Sequence, residues 1–325
     1  MKKGILIILI MILFTGCSET KTAPAINANE ICGKTFKEED ASIIKSLANV
    51  DGFLCSYLDK YLLYLKSNDV SYEDTVYLIN QGIDKEYSSY LMQLVKAKYF
   101  IKDNLNLYYV YKQDSIDDTI RYVNCGLYYN FYTNMQKANL ASNTLILVNK
   151  YYYLENSYVP TDLEVIDDNY SKGSNNKLRH EARVAFEEMA SAAKLDNIIL
   201  FNRSAYRSYQ TQELIHNRSV SKYGAIESDK TSARPGNSEH QTGLALDLNL
   251  IDNSFKNTDA YKWLQQNSYK YGFILRYPED KVSITGYNYE PWHYRYVGKD
   301  VALKIQSAAI TFDEYYAYYI VNKGN

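Results

Sequence analysis

The sequence predicts an α+β fold, on two observations. Segments with apolar residues three and four apart, the mark of a helix, dominate the first third of the chain and recur later. Short alternating or wholly apolar runs of strand character sit among them, but strands and helices do not alternate regularly enough for a doubly wound parallel sheet. At 325 residues the chain is long enough for two domains.

The elements follow in order. Met1-Lys2-Lys3 is a short basic start, and Ile5 through Phe14 is an unbroken apolar run. That run is too short for a normal membrane-spanning helix, which needs roughly 17–25 residues, and reads as a signal peptide over 1–16. Thr15-Gly16 directly before Cys17 resembles a bacterial lipobox. The resemblance implies cleavage there and a lipid on the Cys17 sulfur, with the mature protein held at the outer face of the cytoplasmic membrane. Residues 17–31 are small and polar and predict a tether. From 32 to 145 a mainly helical domain is expected. Ile43, Ile44, Leu47 and Val50 recur at helical spacing, as do Leu54, Leu58, Leu62 and Leu63. Ser71 and Asp74 resemble a capping box ahead of Val76, Leu78 and Ile79. Leu107–Tyr111 and Leu145–Val148 have strand composition.

A second domain is expected over 146–325. Tyr158-Val159-Pro160 marks a turn. Leu178–Leu195 predicts a helix with Ala182, Ala185, Phe186, Met189, Ala190 and Ala193 on one face. Ile198–Phe201 reads as a buried strand. Thr211–Tyr223 is helical and closes at Gly224, and Asp259–Tyr271 is stopped by Gly272. Leu244–Leu250 and Trp292–Val297 alternate as strands, and the tail from Val301 is helical, with Phe312, Tyr315, Tyr316 and Tyr319 on one side.

Composition narrows the partners. A formal net charge of −2 lacks the basic footprint of a nucleic-acid binder. The 35 Tyr against 10 Phe run through the whole chain, which favours Tyr used as an amphipathic core aromatic over dedicated sugar platforms. With Cys17 lipidated, Cys32, Cys55 and Cys125 remain; Cys32 and Cys55 are the pair nearest in sequence, but their pairing stays open. No CxxC spacing exists, so a thiolate zinc site is not expected.

The chemistry gathers in SEHQTGLALDL (238–248) and EPWH (290–293). His240, Asp247 and His293 supply two imidazoles and a carboxylate, with Glu290 to spare, which are the parts of a catalytic zinc site. Two of only four histidines fall in these segments. His180 and His216 lie on predicted helices without a ligand partner nearby and read as ordinary polar residues. On the strand, Leu244, Leu246 and Leu248 point one way, Ala245 and Asp247 the other. The odd separation would put His240 and Asp247 on opposite faces of a straight strand, so a bend at Thr242-Gly243 is required. On the second strand His293 and Arg295 share a face. Pro291 favours an extended Glu290 beside the metal without ligating it. Zinc with three protein ligands keeps an open position and lowers the pKa of a water there to about 7. Glu290 is placed to take the proton. Calcium and magnesium would want more oxygens.

These motifs carry a family resemblance. SEHQTGLALDL followed by EPWHYRYVG resembles the signature of VanY-type D-alanyl-D-alanine carboxypeptidases, in the LAS group of zinc peptidases. SAYRSYQTQ at 204–212 resembles that family's YRSxxxQ element, and residues 273–298 are similar nearly throughout. LVNKYYYLENSYVPTDL at 147–163 is like the entry segment of these enzymes, and SYEDTVYLINQG at 71–82 is like the helical region ahead of the catalytic domain in Gram-positive relatives. The resemblance implies a LAS/hedgehog-type peptidase domain with a small antiparallel sheet flanked by helices. It implies Zn2+ held by His240, Asp247 and His293, and Glu290 as general base. Arg207 would lie over the reacting carbonyl or the substrate carboxylate, with Gln212 and Ser238 as substrate contacts by position. The implied activity is removal of the terminal D-Ala from peptidoglycan stem peptides. L,D-carboxypeptidase action on tetrapeptide stems with the same machinery is the alternative, and a non-catalytic wall-binding lipoprotein a third.

Overall fold

The computed structural model describes residues 30–35, 38–67, 71–80, 88–173 and 175–321. The expected signal peptide and Cys17 lie outside the described residues. Contacts divide the chain into two units, Met1–Lys96 and Ala97–Asn325.

The first unit opens with a two-stranded hairpin, β1 (Glu30–Ile31) and β2 (Lys34–Thr35). Helices α1 (Glu38–Ala48), α2 (Leu58–Ser67), α3 (Tyr72–Asn80) and α4 (Ser88–Lys96) follow. The helical expectation for this region holds, and the Ser71 hydroxyl accepts from Asp74 N at the start of α3. Ile44 and Leu47 on α1, Leu58 and Tyr61 on α2, and Val76 on α3 form the buried seam. Ile31 joins this core, so the ordered unit takes in the last residues assigned to the tether. A Cys32–Cys55 disulfide staples the hairpin to the approach of α2.

In the second unit, α5 (Leu105–Val110) and α6 (Ile116–Asn124) come first. Leu107–Tyr111 is therefore helix rather than strand. Leu105 and Tyr108 are buried at helical spacing, and the Tyr108 hydroxyl donates to Asn124 on α6; this packing overrides strand composition. β3 (Gln136–Lys137) pairs in parallel with β4 (Tyr152–Tyr153). Between them Ile146, Leu147 and Val148 are buried but form no strand. β5 (Leu163–Val165) pairs with β6 (Lys177–Arg179), so the long helix α7 begins at His180 and runs to Leu195. β7 (Asn202–Ser204) starts after the predicted strand at 198–201, where Ile199 is 70% exposed. Then come α8 (Tyr209–Tyr223), α9 (Ala225–Ser228), β8 (Ala245–Leu248), α10 (Asp259–Asn267), β9 (Phe273–Leu275), α11 (Val282–Thr285), β10 (His293–Tyr296), α12 (Lys299–Ala308) and α13 (Phe312–Tyr319).

The centre is an antiparallel sheet in the order β7-β8-β10-β9. Leu246 and Leu248 on one face of β8, with Leu244 just before it, enter a core shared with Phe186, Met189 and the small residues of α7, as the periodicity predicts. The opposite face holds Asp247. β10 lies against β8 with His293 directly opposite Asp247 and Arg295 opposite Ala245. On the far side α12 and α13 close a second core around Ile274, Val297, Ile305 and Phe312.

The two compact units divide at 96/97, whereas the sequence suggests a boundary at 145/146. Residues 97–145 pack on the C-terminal helix: Arg121 Nε donates to Glu314, and Tyr99 stacks on Tyr318 with ring centres 3.9 Å apart.

Candidate metal centre

Three elements converge on one point. A 3-10 turn, Glu239–Thr242, presents His240 and ends at Gly243 in the left-handed region, with φ 66°. This is the bend that the odd spacing demands, and it turns His240 back toward Asp247 on β8. The antiparallel register brings His293 alongside. His240, Asp247 and His293 are all buried, and their ligand atoms lie within 4.8 Å of one another.

The donor set fits zinc on geometry. His240 Nδ1 lies 2.7 Å from the Ala205 carbonyl. An N–H there donates to that oxygen and leaves the Nε2 lone pair toward Asp247; Nε2 is buried with no hydrogen-bond partner. Asp247 Oδ2 is 3.4 Å from His240 Nε2, and Oδ1 is 3.0 Å from His293 Nδ1. Ligands about 2.0–2.2 Å from a tetrahedral ion stand about 3.3–3.6 Å apart, and the His240–Asp247 separation falls in that range. Two nitrogens and one carboxylate oxygen also match zinc better than a hard cation.

Charge in the cluster is tightly coupled. Burial pulls His240 down to about 4, helped by Arg207, which keeps its ring neutral as a ligand must be. Burial alone would raise Asp247, but the two imidazoles hold it well below the usual carboxylate range. For His293 burial is outweighed by the Asp247 and Glu239 carboxylates, which push it up to about 9.

Glu290 lines the same cleft, its Oε2 3.9 Å from His293 Nδ1. Burial pushes its carboxyl up to about 7, offset in part by His293 and Arg207. A carboxyl poised there can accept and return a proton near neutral pH. Arg207 follows β7 and sits over the cluster, with one terminal nitrogen 3.7 Å from Asp247 Oδ2 and its Nε buried without a partner. Gln212, one turn into α8, accepts from Arg207 at 3.0 Å and donates to the Ala233 carbonyl. It braces the arginine and borders the space a substrate would fill. Ser238 lines the cleft beside His240. The cleft is about 380 Å³, walled also by Tyr277, Tyr287, Ile251 and Trp292.

His180 and His216 lie apart from this cluster. His180 meets the exposed Glu164, and His216 meets the Ser232 carbonyl.

Sequence reasoning missed the layer behind the ligands. Glu239 is 1% exposed; its Oε1 accepts from Arg276 at 2.8 Å and from Arg295 at 3.0 Å. Arg276 donates in turn to Asp313 on α13, which accepts from Asn149 as well. Two carboxylates and two guanidiniums, all buried, balance in charge, the condition under which ions are tolerated inside a protein. The available signal was a glutamate inside a segment otherwise fated for burial, and Arg295 on the His293 face of its strand.

A family model described as VanY, D-alanyl-D-alanine carboxypeptidase, matches residues 175–299. The chain is 45% identical over 183 residues to a putative carboxypeptidase, YodJ, of Bacillus subtilis; the match spans 54% of this chain and 67%, about two thirds, of that relative. It is 35% identical over 188 residues to the bifunctional D-Ala-D-Ala dipeptidase and D-Ala-D-Ala carboxypeptidase VanXYC of Enterococcus gallinarum, spanning 54% of this chain and 95% of the relative. The solved LdcB LD-carboxypeptidase superposes with a TM-score of 0.54 at 41% identity, over 57% of this chain and 91% of that one. The histidine–aspartate–histidine cluster, the buried glutamate beside it and these likenesses agree: the chain belongs to the VanY family of D-alanyl-D-alanine carboxypeptidases.

Proposed function

We propose that the chain is a zinc carboxypeptidase that releases the C-terminal D-Ala from peptidoglycan stem peptides ending in D-Ala-D-Ala. The observation that carries this is the convergence of His240, Asp247 and His293 with the carboxyl of Glu290 in one cleft. His240, Asp247 and His293 would hold the zinc, which when bound would supply the Lewis acidity to make a water nucleophilic near pH 7. Glu290 takes the proton from the attacking water and delivers it to the departing amine. Arg207, braced by Gln212, faces the charge that develops on the carbonyl oxygen, where its planar fork stabilises an oxyanion. Ser238 stands beside His240 to contact the substrate.

The likeness to an LD-carboxypeptidase favours a second reading, in which the same groups cleave tetrapeptide stems. The two readings differ in the residue before the scissile bond, D-alanine in the first and an L-configured residue in the second. We also place the enzyme at the outer face of the cytoplasmic membrane through a lipid on Cys17. The lipobox-like start supports this, as does the Cys32–Cys55 disulfide, since such bonds persist in oxidising compartments. Among the described residues no helix is long and apolar enough to cross a membrane.

Synthetic pentapeptide and tetrapeptide stems, with zinc present and after chelation, separate the alternatives. D-Ala release from the pentapeptide, lost on chelation and restored by zinc, is the expected result. Release from the tetrapeptide alone makes the enzyme an L,D-carboxypeptidase, and release insensitive to chelation removes the metal mechanism.

A further inference from the structure

Given zinc at this centre, as proposed above, we propose that Glu239 is the positioning residue that selects which nitrogen of His293 holds the metal. His293 Nδ1 faces Asp247 Oδ1 at 3.0 Å, on the side of the ligand cluster. Its Nε2 points the other way, 3.5 Å from Glu239 Oε2. That gap is a few tenths of an ångström longer than a normal N–H···O hydrogen bond. Yet both atoms are buried and neither has another hydrogen-bond partner, so a shift of a few tenths of an ångström completes the pairing. Glu239 accepts Nε2–H, the neutral ring keeps its second lone pair on Nδ1, and Nδ1 is turned to the zinc side. His240 is arranged in the opposite sense: its Nδ1–H goes to Ala205 and its Nε2 faces the cluster.

The rest of the network explains why a carboxylate can do this from the interior. Arg276 and Arg295 both donate to Oε1, fixing the side chain and leaving Oε2 for the histidine. Arg295 is itself tied to the Thr144 and Ile146 carbonyls, and Arg276 to Asp313. The orientation of His293 is thereby referred to α13 and to the segment before β4.

Histidine labelled with ¹⁵N tests this directly in the zinc-loaded protein, since the chain has only four histidines to resolve. His293 is expected to carry its proton on Nε2 with Nδ1 coordinated, and His240 the reverse. Competition with a chromophoric chelator should show E239Q binding zinc about 10- to 100-fold more weakly, the usual cost of losing an outer-shell partner. A cobalt-substituted E239Q should show a shifted visible spectrum. If E239Q does not fold, the labelling of the parent still decides. Coordination of His293 through Nε2, or a folded E239Q with parental zinc affinity and cobalt spectrum, overturns the inference while leaving the zinc centre standing. A parent that takes up no zinc overturns both.

Discussion

Glu290 owes its proposed role to where it is buried. Neighbouring Asp247 and Glu239 carboxylates disfavour its charge, as burial does, while His293 and Arg207 restore part of it. Its carboxyl is pushed up to about 7, so it is a working base only above that range. A dication nearby would draw it lower. The acid limb of kcat/KM is therefore expected at or below about pH 7, with activity rising as the proton leaves. Glu290→Gln should lower kcat by about 10²–10⁴-fold and abolish that limb. A glutamine variant as fast as the parent would remove Glu290 from the mechanism. Arg207→Lys tests the fork: lysine keeps the charge but cannot span both the Gln212 oxygen and the reacting oxygen. A fall in kcat of about 10²-fold or more is expected, near the cost of a lost oxyanion donor. A rise in KM alone would make Arg207 a binder of ground-state carboxylate instead.

At the scale of elements, the bend before β8 decides whether the centre can assemble. Gly243 has φ 66°, and a methyl added there would come within 2.8 Å of Leu163 and 3.0 Å of the Arg179 side chain. Gly243→Ala adds a left-handed backbone cost of about 1–2 kcal/mol to this crowding. It is expected to lower the melting temperature of the protein and to weaken zinc binding, because the bend aims His240. Unchanged melting and unchanged zinc affinity would show that the bend tolerates a side chain. This element was legible in the sequence: an odd ligand spacing on an alternating strand has few solutions, and the glycine marked the one used. The leucine face of β8 and the alanine face of α7 were legible for the same reason, since one-sided burial writes a period into the residues. Leu107–Tyr111 and Ile198–Phe201 were not. Such short apolar runs suit strand or helix alike, and their state is set by partners distant in sequence, such as Asn124 for Tyr108. The Glu239 layer escaped for a related reason, because its partners Arg276, Arg295 and Asp313 come from three separate stretches of chain.

At the scale of the molecule, residues 97–145 belong to the same compact unit as the C-terminal helices. From sequence they are of mixed character and fall within the mainly helical domain expected over 32–145. Their contacts bind them to the opposite end of the chain. Glu314 is 1% exposed, caps α13 through Thr311, and is neutralised by Arg121 on α6. Tyr99 stacks on Tyr318 and shares a hydrogen bond with the Tyr319 hydroxyl, and the Thr144 carbonyl accepts from Arg295 behind the metal ligands. A fragment starting at residue 97 keeps every one of these partners. A fragment starting at 146 removes Arg121 from Glu314 and Tyr99 from Tyr318, and so uncovers the aromatic face of α13. Most domains have only about 5–15 kcal/mol in hand. The 97–325 fragment is therefore expected to melt cooperatively, bind one zinc and cleave soluble stem peptides at close to the parental rate. The 146–325 fragment is expected to be unstable or aggregated, and Arg121→Ala in the full chain should move part of the way toward it. Equal melting and equal turnover of the two fragments would return the boundary to 145/146 and reduce the Arg121–Glu314 pair to a surface detail.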